Sequence, residues 1–166
     1  MTKILQYLLS LAGEYRVCSE LNKRGVFATV TYGNRKSVDV YAIGDRQRRA
    51  LKIEVKTSQK QNFVTKISQK GLANDPDAPD FWVLAQIRSE GNGRFVEKFF
   101  VLRHVEICRL QAAVNRGYVK KYKKRHDGRK PDTSKGVDYV TVEDVEPYEN
   151  QWFKIVDDKR LKGRNS

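Results

Sequence analysis

The chain has 166 residues, with 33 Lys or Arg against 20 Asp or Glu and a formal net charge of +13 at pH 7. This length predicts a single domain over residues 1–166, and the excess of positive charge favours nucleic acid as a partner over a merely soluble basic protein. Two cysteines exclude a disulfide framework and no segment is apolar enough for a transmembrane helix, so we expect a cytoplasmic protein without a membrane partner.

The first half of the chain predicts one helix followed by a meander of three strands. Apolar side chains recur at helical spacing over residues 3–24, and the glycine that follows provides a stop. The apolar stripe consists of Ile4, Leu8, Leu11, Tyr15 and Cys18. It continues past any cleavage point of a signal peptide and therefore favours one face of a folded amphipathic helix. Strands rich in β-branched and aromatic residues follow at 26–32, 37–43 and 50–58.

Further elements complete a predicted core of about residues 1–117. One modest helix fits residues 59–72, although its apolar pattern is weak. Strands fit residues 81–87 and 94–102, and the first of these is a continuous apolar run typical of a strand that is buried on both faces. A helix then occupies residues 104–115 and ends at the following glycine.

The last third of the chain predicts less regular structure. Residues 118–136 form a basic segment with few apolar side chains, which indicates an exposed and partly mobile stretch. Residues 137–156 predict an edge strand and a C-terminal packing element that is anchored by Trp152. Residues 157–166 are charged and predict a frayed tail.

The hairpin of the second and third strands places charged side chains side by side. If its turn is centred between Arg46 and Gln47, Asp39 lies directly opposite Glu54, and Lys56 shares the face of Glu54. Like charges that face each other on neighbouring strands repel, here by about 3–4 kcal/mol at an effective dielectric constant of about 20. A divalent cation such as Mg²⁺ or Mn²⁺, which prefers oxygen ligands, removes this repulsion.

A solvated polar face is the alternative interpretation of this hairpin. On such a face Lys52 and Lys56 flank Glu54 and neutralise it without any bound cation. The spacing of an acid, any residue and a lysine is weak by itself, because it also occurs at 157–159 in the charged tail. The upstream aspartate on the neighbouring strand is therefore what distinguishes the hairpin.

Three stretches in this order resemble the PD-(D/E)XK nuclease superfamily: GEYRVCSELNKRG on the first helix, VDVYA on a strand and IEVKTS on the next. The likeness covers about the first half of the chain and extends to the order of the elements after it. Within the superfamily, the pattern is similar to archaeal Holliday-junction resolvases and small restriction-type endonucleases. It implies an α/β fold with a restriction-endonuclease-like αβββαβ core, in which helices flank a mixed central sheet. Val38 stands where the superfamily signature has a proline, and we expect a small effect because this side chain faces the core.

The resemblance implies a Mg²⁺-dependent endodeoxyribonuclease, with Mn²⁺ able to substitute. Asp39, Glu54 and the backbone carbonyl of Val55 would bind the metal, and Glu14 would complete the site through the metal or its waters. Lys56 would activate the attacking water or stabilise the charge that develops on the phosphate. Cleavage of both strands of DNA would require two sites and hence a homodimer. The alternative is a non-catalytic nucleic-acid-binding module on the same fold.

Two glutamates of the first helix compete for the role in this site. Glu14 lies at the border of the apolar stripe, from which it can point into a site beside the sheet or simply remain solvated. Glu20 has Arg24 four residues later and predicts a surface ion pair. We therefore favour Glu14 as the functional glutamate.

Further residues are candidates for contact with DNA rather than for chemistry. They are Ser58 and Gln59 after the third strand, Arg46, Arg48 and Arg49 in the hairpin turn, and Lys120, Lys121, Lys123, Lys124 and Arg125 in the basic segment. Tyr118 and Tyr122 lie among these lysines and offer rings on which bases can stack. A solvated charged surface explains the basic segment equally well.

Overall fold

The computed structural model describes residues 2–31, 38–44, 49–67, 77–132 and 137–162. The elements in chain order are α1 (Lys3–Lys23), β1 (Phe27–Val30), β2 (Val40–Ile43), β3 (Ala50–Ser58), β4 (Asn62–Val64), β5 (Phe81–Gly91), β6 (Arg94–Arg103), α2 (His104–Arg125), β7 (Tyr139–Thr141), α3 (Val142–Val145), a 3₁₀ helix (Glu146–Tyr148) and α4 (Phe153–Val156).

A mixed five-stranded sheet forms the centre of the fold, with its strands in the order β1, β2, β3, β5, β6. β3 and β5 are parallel, and the other neighbouring pairs are antiparallel. β4 and β7 pair separately as a small two-stranded sheet. Residues 81–87 of β5 are all buried, as a strand covered on both faces should be. The predicted meander and the buried strand are therefore confirmed.

Helices cover both faces of the central sheet. On one face Val17 and Leu21 of α1 pack against Ile53 of β3 and Val83 of β5. On the other face Ile107 of α2 belongs to a separate apolar cluster with the even-numbered side chains of β5. Alternation along each strand supplies both clusters, because successive side chains point to opposite faces. The predicted α/β fold class, a mixed central sheet flanked by helices, is confirmed.

The modest helix that the sequence predicts over residues 59–72 is wrong where the structure describes this stretch. Residues 62–64 form β4, in which Phe63 pairs with Val140 of β7 and is almost completely buried. A weak apolar pattern gives little helical preference, so pairing with a strand distant in sequence decides the local structure. The remainder of the predicted helix, from residue 68 onward, lies outside the described residues.

The helix α2 is longer than predicted and passes through Gly117 to Arg125. Lys and Arg favour helix, and their positive charges are stabilised at the C-terminal end of a helix. The rings of Tyr118 and Tyr122 lie 6.1 Å apart, and Tyr122 stacks on His126 at 4.1 Å. The basic segment therefore begins as an ordered helical extension, which corrects both the predicted helix end and the expected mobile stretch for residues 118–125.

The predicted frayed tail is also wrong for residues 157–162. Asp158 and Leu161 are both buried, and the backbone of Leu161 packs directly on Gly44, where an added Cβ would lie 2.7 Å from the Leu161 Cα. Glycine at position 44 thus permits the C-terminal segment to approach the end of β2. The Trp152 anchor is confirmed, because that side chain is 3% exposed in the core. Residues 163–166 lie outside the described residues.

The apolar stripe of α1 does not face the core. Ile4 is 71% exposed and Leu8 is 52% exposed, although a stripe of this kind ordinarily packs on the sheet. The face that α1 buries contains Gly13, Val17 and Leu21, together with Cys18, the one member of the stripe that is buried. α1 therefore carries two separate apolar faces, and the larger one is open to solvent. None of the helices in the described part of the chain is long and apolar enough to cross a membrane.

Candidate active site

The hairpin of β2 and β3 has the predicted register, with Val40 opposite Ile53. Asp39 lies one residue before β2, where its N–H donates to the Ile53 carbonyl at 3.0 Å. The N–H of Val55 donates to Asp39 Oδ2 at 2.8 Å. The Asp39 carboxylate therefore acts as a hydrogen-bond acceptor for β3, just past the end of the β2–β3 ladder.

The predicted ladder pair of Asp39 and Glu54 is accordingly corrected. The ladder of paired residues ends at Val40. Asp39 contacts β3 through its side chain, which accepts a hydrogen bond, and not as a paired residue of the ladder. This arrangement gives one carboxylate oxygen a backbone donor, whereas a direct cross-strand pair would have set two carboxylates against each other without one. Asp39 remains beside Glu54, because its hydrogen bond reaches the next residue of the strand.

Glu54 is a buried carboxylate with one satisfied oxygen. Its side chain extends from the middle of β3 on the face opposite to Ile53 and Val55, which pack in the apolar core as predicted. Lys56 Nζ forms an ion pair with Glu54 Oε1. Glu54 Oε2 is buried and has no hydrogen-bond partner among the described residues. An unpaired buried carboxylate oxygen is costly, so this atom is poised for a further ligand.

The electrostatics of Glu54 reflect its burial and its neighbours. Burial makes the largest contribution and raises the pKa of Glu54, Lys56 lowers it, and Asp39 raises it again. The net result is a pKa above the ordinary value for a glutamate. The ion pair with Lys56 thus does not fully offset burial and the nearby carboxylate.

Glu14 approaches this group from α1, and its position depends on the preceding glycine. A Cβ at Gly13 would overlap Thr57 Oγ1 and lie 3.0 Å from the Thr57 Cβ, so only glycine allows α1 to lie this close to β3. The close approach brings the next residue of the helix, Glu14, to the end of β3 that carries Glu54 and Lys56.

Replacement of Gly13 with Ala should destabilise the protein by about 1–3 kcal/mol, because α1 must move away from β3. Thr57→Ala alone should cost less than this, since Thr57 Oγ1 has no hydrogen-bond partner among the described residues. The double variant should recover part of the loss, because the overlapping oxygen is removed. Urea denaturation of the four proteins measures this coupling, and strictly additive free energies would contradict the proposed contact.

Glu14 has a pKa raised to about 7. Burial is the largest cause, Asp39 and Glu54 raise the pKa further, and Lys56 lowers it. These influences mean that the charges of all four residues act on one another. The structure therefore brings Glu14, Asp39, Glu54 and Lys56 into one electrostatic group, as the sequence predicted.

The raised pKa of Glu14 predicts how stability depends on pH in the absence of divalent cations. The carboxyl is neutral in the folded protein up to about pH 7, whereas in the unfolded chain it ionises near pH 4.5. Its stabilising contribution is therefore complete below pH 4.5 and is lost as the pH rises to about 7. Urea denaturation in EDTA at pH 5 and pH 8 should show a smaller pH dependence for Glu14→Gln than for wild type. An equal dependence would contradict the assignment.

The oxygen atoms at this site suit a hard divalent cation. Asp39 and Glu54 supply carboxylates, and Val55 supplies a backbone carbonyl between Glu54 and Lys56. The unpartnered Glu54 Oε2 and the mutual repulsion of the carboxylates are both relieved by a positive charge. Within the described residues, no group of three or more His, Cys, Asp or Glu side chains is arranged to hold a metal ion. The donors therefore fit a cation that keeps several water or substrate ligands.

The site also includes two residues that the sequence analysis missed. Trp82 lies beside Glu54 on β5, and Lys56 Nζ is 5.9 Å from the centroid of its ring. Lys66 lowers the pKa of Glu54, and its backbone has a φ of 56°, a left-handed conformation that is uncommon outside glycine. Trp82 belongs to a continuous apolar run that predicts a buried strand, and Lys66 follows a strand that was not predicted. Neither residue therefore has a local sequence pattern that points to the active site.

The predicted DNA-contact residues near the site are only partly described. Ser58 is half-buried at the end of β3, and its hydroxyl accepts the N–H of Lys60 at 3.0 Å, whereas Gln59 is exposed. Arg49 is exposed and lines a cleft at the opposite end of β3. Arg46 and Arg48 lie outside the described residues.

The basic residues predicted for DNA contact lie on the last turns of α2. Lys120, Lys121, Lys124 and Arg125 are exposed, and Lys123 is half-buried.

Glu20 forms ion pairs with Lys23 at 2.5 Å and with Arg24 at 2.6 Å. Burial opposes the effect of these pairs, yet the pKa of Glu20 is lowered. Glu20 is thus a paired structural carboxylate, which agrees with the preference for Glu14.

Comparisons with known proteins give two structural likenesses. The chain is similar to the bacterial homing endonuclease I-Ssp6803I, with 17% identity and a TM-score of 0.47 over 96% of this chain and 98% of that one. It is also similar to Hjc, a Holliday junction resolvase of the archaeal hyperthermophile Archaeoglobus fulgidus, with 13% identity and a TM-score of 0.47 over 89% and 95% of the two chains. No family model matches the sequence. No curated protein is significantly similar to it.

Proposed function

We propose that this protein is a Mg²⁺-dependent endonuclease that hydrolyses phosphodiester bonds in DNA. The observation that carries the proposal is the buried Glu54 carboxylate: its Oε2 has no hydrogen-bond partner in the part of the chain that the structure describes, Lys56 pairs with its other oxygen, and Asp39 and Glu14 are close enough for their charges to interact with it. A structural ion pair would leave neither an unsatisfied oxygen nor three carboxylates, which repel one another when ionised, in one place. Mn²⁺ is expected to substitute for Mg²⁺, because the donors are hard oxygen atoms.

Each residue has a distinct role in this mechanism. Asp39 and Glu54, with the Val55 carbonyl, would hold the cation, and Glu14 would contact it directly or through water. The cation supplies charge stabilisation and a lowered pKa of bound water. Lys56 holds a positive charge beside Glu54, where it stabilises the charge that develops on the phosphate oxygens or orients the attacking water.

DNA is the substrate that the charge of the chain favours. The formal net charge of +13 supplies an attraction for phosphates that does not depend on sequence. The exposed basic side chains at the end of α2 extend this attraction along one helix, and Tyr118 lies among them. Contacts of this kind position a duplex or a branched structure, whereas specificity depends on base contacts.

A non-catalytic DNA-binding module is the second candidate function. Lys56 already neutralises one oxygen of Glu54, and no three acidic, His or Cys side chains in the described ranges form a ready metal cage. In this alternative the basic surface binds DNA and the carboxylates have only a structural role.

The two functions are separated by an assay with the wild-type protein. A panel of supercoiled plasmid, linear duplex, nicked duplex, four-way junction and single-stranded DNA is incubated with Mg²⁺, Mn²⁺ or EDTA. We expect cleavage of at least one substrate in Mg²⁺ or Mn²⁺ and none in EDTA, and the products identify the preferred structure. Binding of the panel without cleavage by either metal would favour the binding module.

We further propose that the enzyme is a homodimer that forms through the exposed stripe of α1, defined as Ile4, Leu8, Leu11 and Tyr15. Ile4, Leu8 and Tyr15 are each more than half exposed. Between residues 2 and 13 the sequence has one charged residue, Lys3, although charged residues make up 32% of the chain. A second copy with the same high positive charge meets least repulsion at such an uncharged, apolar surface.

Replacement of Leu8 with Glu should convert this dimer to a monomer, because a buried unpaired charge at the contact is costly. Light scattering after size-exclusion chromatography measures the mass of each variant. Phe95→Glu is the matched control, since Phe95 is 58% exposed on β6 and lies outside the stripe. Equal masses for wild type and Leu8→Glu would contradict the proposed interface.

A further inference from the structure

A cleft of about 610 Å³ lies at the end of the sheet where β3 and β5 begin and β6 ends. Its polar lining consists of Arg49, Lys52, Asp80, Arg103, His104 and Arg160. These residues come from the start of β3, the residue before β5, the junction of β6 with α2, and the C-terminal segment. Four of the six carry a permanent positive charge, so the cleft presents cations from several separate elements to one space.

The floor of the cleft is fixed by Asp80. The N–H of Lys52 donates to Asp80 Oδ2 at 2.8 Å, and Arg160 Nη1 donates to Asp80 Oδ1. The N–H of Asp80 donates in turn to the Lys52 carbonyl at 2.8 Å, and the N–H of His104 donates to the Asp80 carbonyl at 3.1 Å. Both oxygens of the Asp80 carboxylate therefore have donors, which limits its repulsion of an anion.

The guanidinium of Arg160 is held in place before any ligand arrives. Its Nε donates to Asp158 Oδ1 at 2.9 Å and its Nη2 to Asp158 Oδ2 at 3.0 Å, while Asp158 is 8% exposed. A guanidinium has five N–H donors, and these bonds use three of them. Arg160 can thus donate to a ligand without first losing side-chain freedom, which is favourable for binding.

The balance of charge in the cleft favours an anion. Arg49, Lys52, Arg103 and Arg160 outnumber the two carboxylates, Asp80 and Asp158. Arg49 is exposed and has no ion-pair partner among the described residues. Clustered guanidinium groups bind phosphate oxygens well, because their paired N–H donors match the geometry of the anion.

The cleft is adjacent to the candidate active site. Lys52 precedes Glu54 by two residues on β3, which corresponds to about 7 Å on the same face of the strand. Trp82 joins the two regions, since its Nε1 donates to His104 Nδ1 at 3.0 Å and Lys56 lies over its ring. Because a DNA strand advances only about 3.4 Å along the duplex axis per nucleotide, a strand held at the active site has neighbouring phosphates within reach of this cleft.

We infer that this cleft, through Arg49, Lys52, Arg103 and Arg160, binds a phosphate group of the DNA strand at a position neighbouring the bond that is cleaved. The inference rests on the proposed function, because it assigns a part of that substrate to a second site. The group is either a backbone phosphodiester or the terminal 5′-phosphate of a strand that ends in the cleft. Both present negatively charged non-bridging phosphate oxygens to the cleft, so the experiment distinguishes them by the end of the strand.

The test measures binding of the full chain to DNA in EDTA, where no cleavage occurs. The probe is a 12-base-pair duplex with a 3′ fluorophore and either a 5′-phosphate or a 5′-hydroxyl. Binding is measured by the fluorescence anisotropy of this probe. Arg49→Ala/Lys52→Ala is compared with Arg88→Ala/Arg94→Ala, which removes the same charge at the other end of β5 and β6, where both arginines are exposed. Arg49→Glu alone provides a second cleft variant that changes a single exposed residue.

The cleft variants should lose about tenfold in affinity relative to the control variant, as expected for the loss of one or two charge-assisted hydrogen bonds. A loss that appears only with the 5′-phosphate identifies a terminal phosphate, and an equal loss on both probes identifies a backbone phosphate. Equal affinities of the cleft and control variants would overturn the inference. This readout is independent of cleavage, so a protein without nuclease activity but with cleft-dependent binding would reject the proposed function alone.

Discussion

Replacement of Glu54 with Gln should abolish Mg²⁺-dependent DNA cleavage and leave the folded protein at least as stable as wild type in the absence of metal. Burial and Asp39 raise the pKa of Glu54, although Lys56 opposes them, so the charged carboxylate is an expensive group to keep in this place. A neutral amide of the same shape removes that cost. The same change removes a charged ligand of the proposed cation. We therefore expect the rate of cleavage to fall by about 10²–10³-fold or more.

This combination of results separates a functional carboxylate from a structural one. The matched control is Glu106→Gln, because Glu106 lies in the first turn of α2 and forms an ion pair with the buried Lys154 at 2.7 Å. That variant should lose stability and retain cleavage, since its carboxylate neutralises a buried ammonium group. Thermal unfolding in EDTA and initial rates of nicking measure both properties. A Glu54→Gln protein that is destabilised and still cleaves would contradict the proposed role.

Replacement of Lys56 with Met should lower the rate of cleavage by about 10²-fold or more, because the positive charge beside the phosphate is lost. The same change should raise the pKa of Glu54 and of Glu14, since Lys56 lowers both. Lys56 is 29% exposed, so its methylene chain is retained by Met and the fold should tolerate the change. Single-turnover cleavage at saturating protein measures the effect on the chemical step.

Lys56→Arg distinguishes two roles of this residue. An arginine keeps the positive charge but cannot be deprotonated, so partial retention of cleavage indicates charge stabilisation, whereas complete loss is expected for a general base. Lys98→Met is the control, because Lys98 lies on β6 outside the candidate site, where it forms a half-buried ion pair with Glu149 at 3.3 Å. Full activity of Lys56→Met would remove this residue from the mechanism.

Much of the candidate site was predictable from local patterns. Alternation in β2 and β3, with only six residues of sequence between the two strands, predicts the hairpin register and places Glu54 and Lys56 on one face. Helical spacing and Gly25 determined the extent of α1 and its end. Local patterns did not predict that the Asp39 side chain accepts a hydrogen bond from the Val55 N–H, because this contact depends on where β2 begins.

Other features depend on contacts between residues that are distant in sequence. β4 exists because Phe63 pairs with Val140, and no pattern within residues 59–67 competes with that pairing. The cleft gathers Arg49, Asp80 and Arg160, whose separation in the chain hides their common location. The orientation of α1 was likewise hidden, because Ile4 and Val17 belong to two apolar faces and only the packed sheet selects one of them.

The nicking of supercoiled plasmid DNA by wild type and Asp39→Asn in Mg²⁺ tests the central claim most directly. Asn retains an oxygen that can accept the Val55 N–H, so the hairpin and the fold should be preserved, while the charge that would hold the cation is lost. We predict Mg²⁺-dependent nicking by wild type, none in EDTA, and a loss of about 10²–10³-fold or more for Asp39→Asn. Nicking by Asp39→Asn at the wild-type rate would contradict the assignment of this site as the catalytic centre.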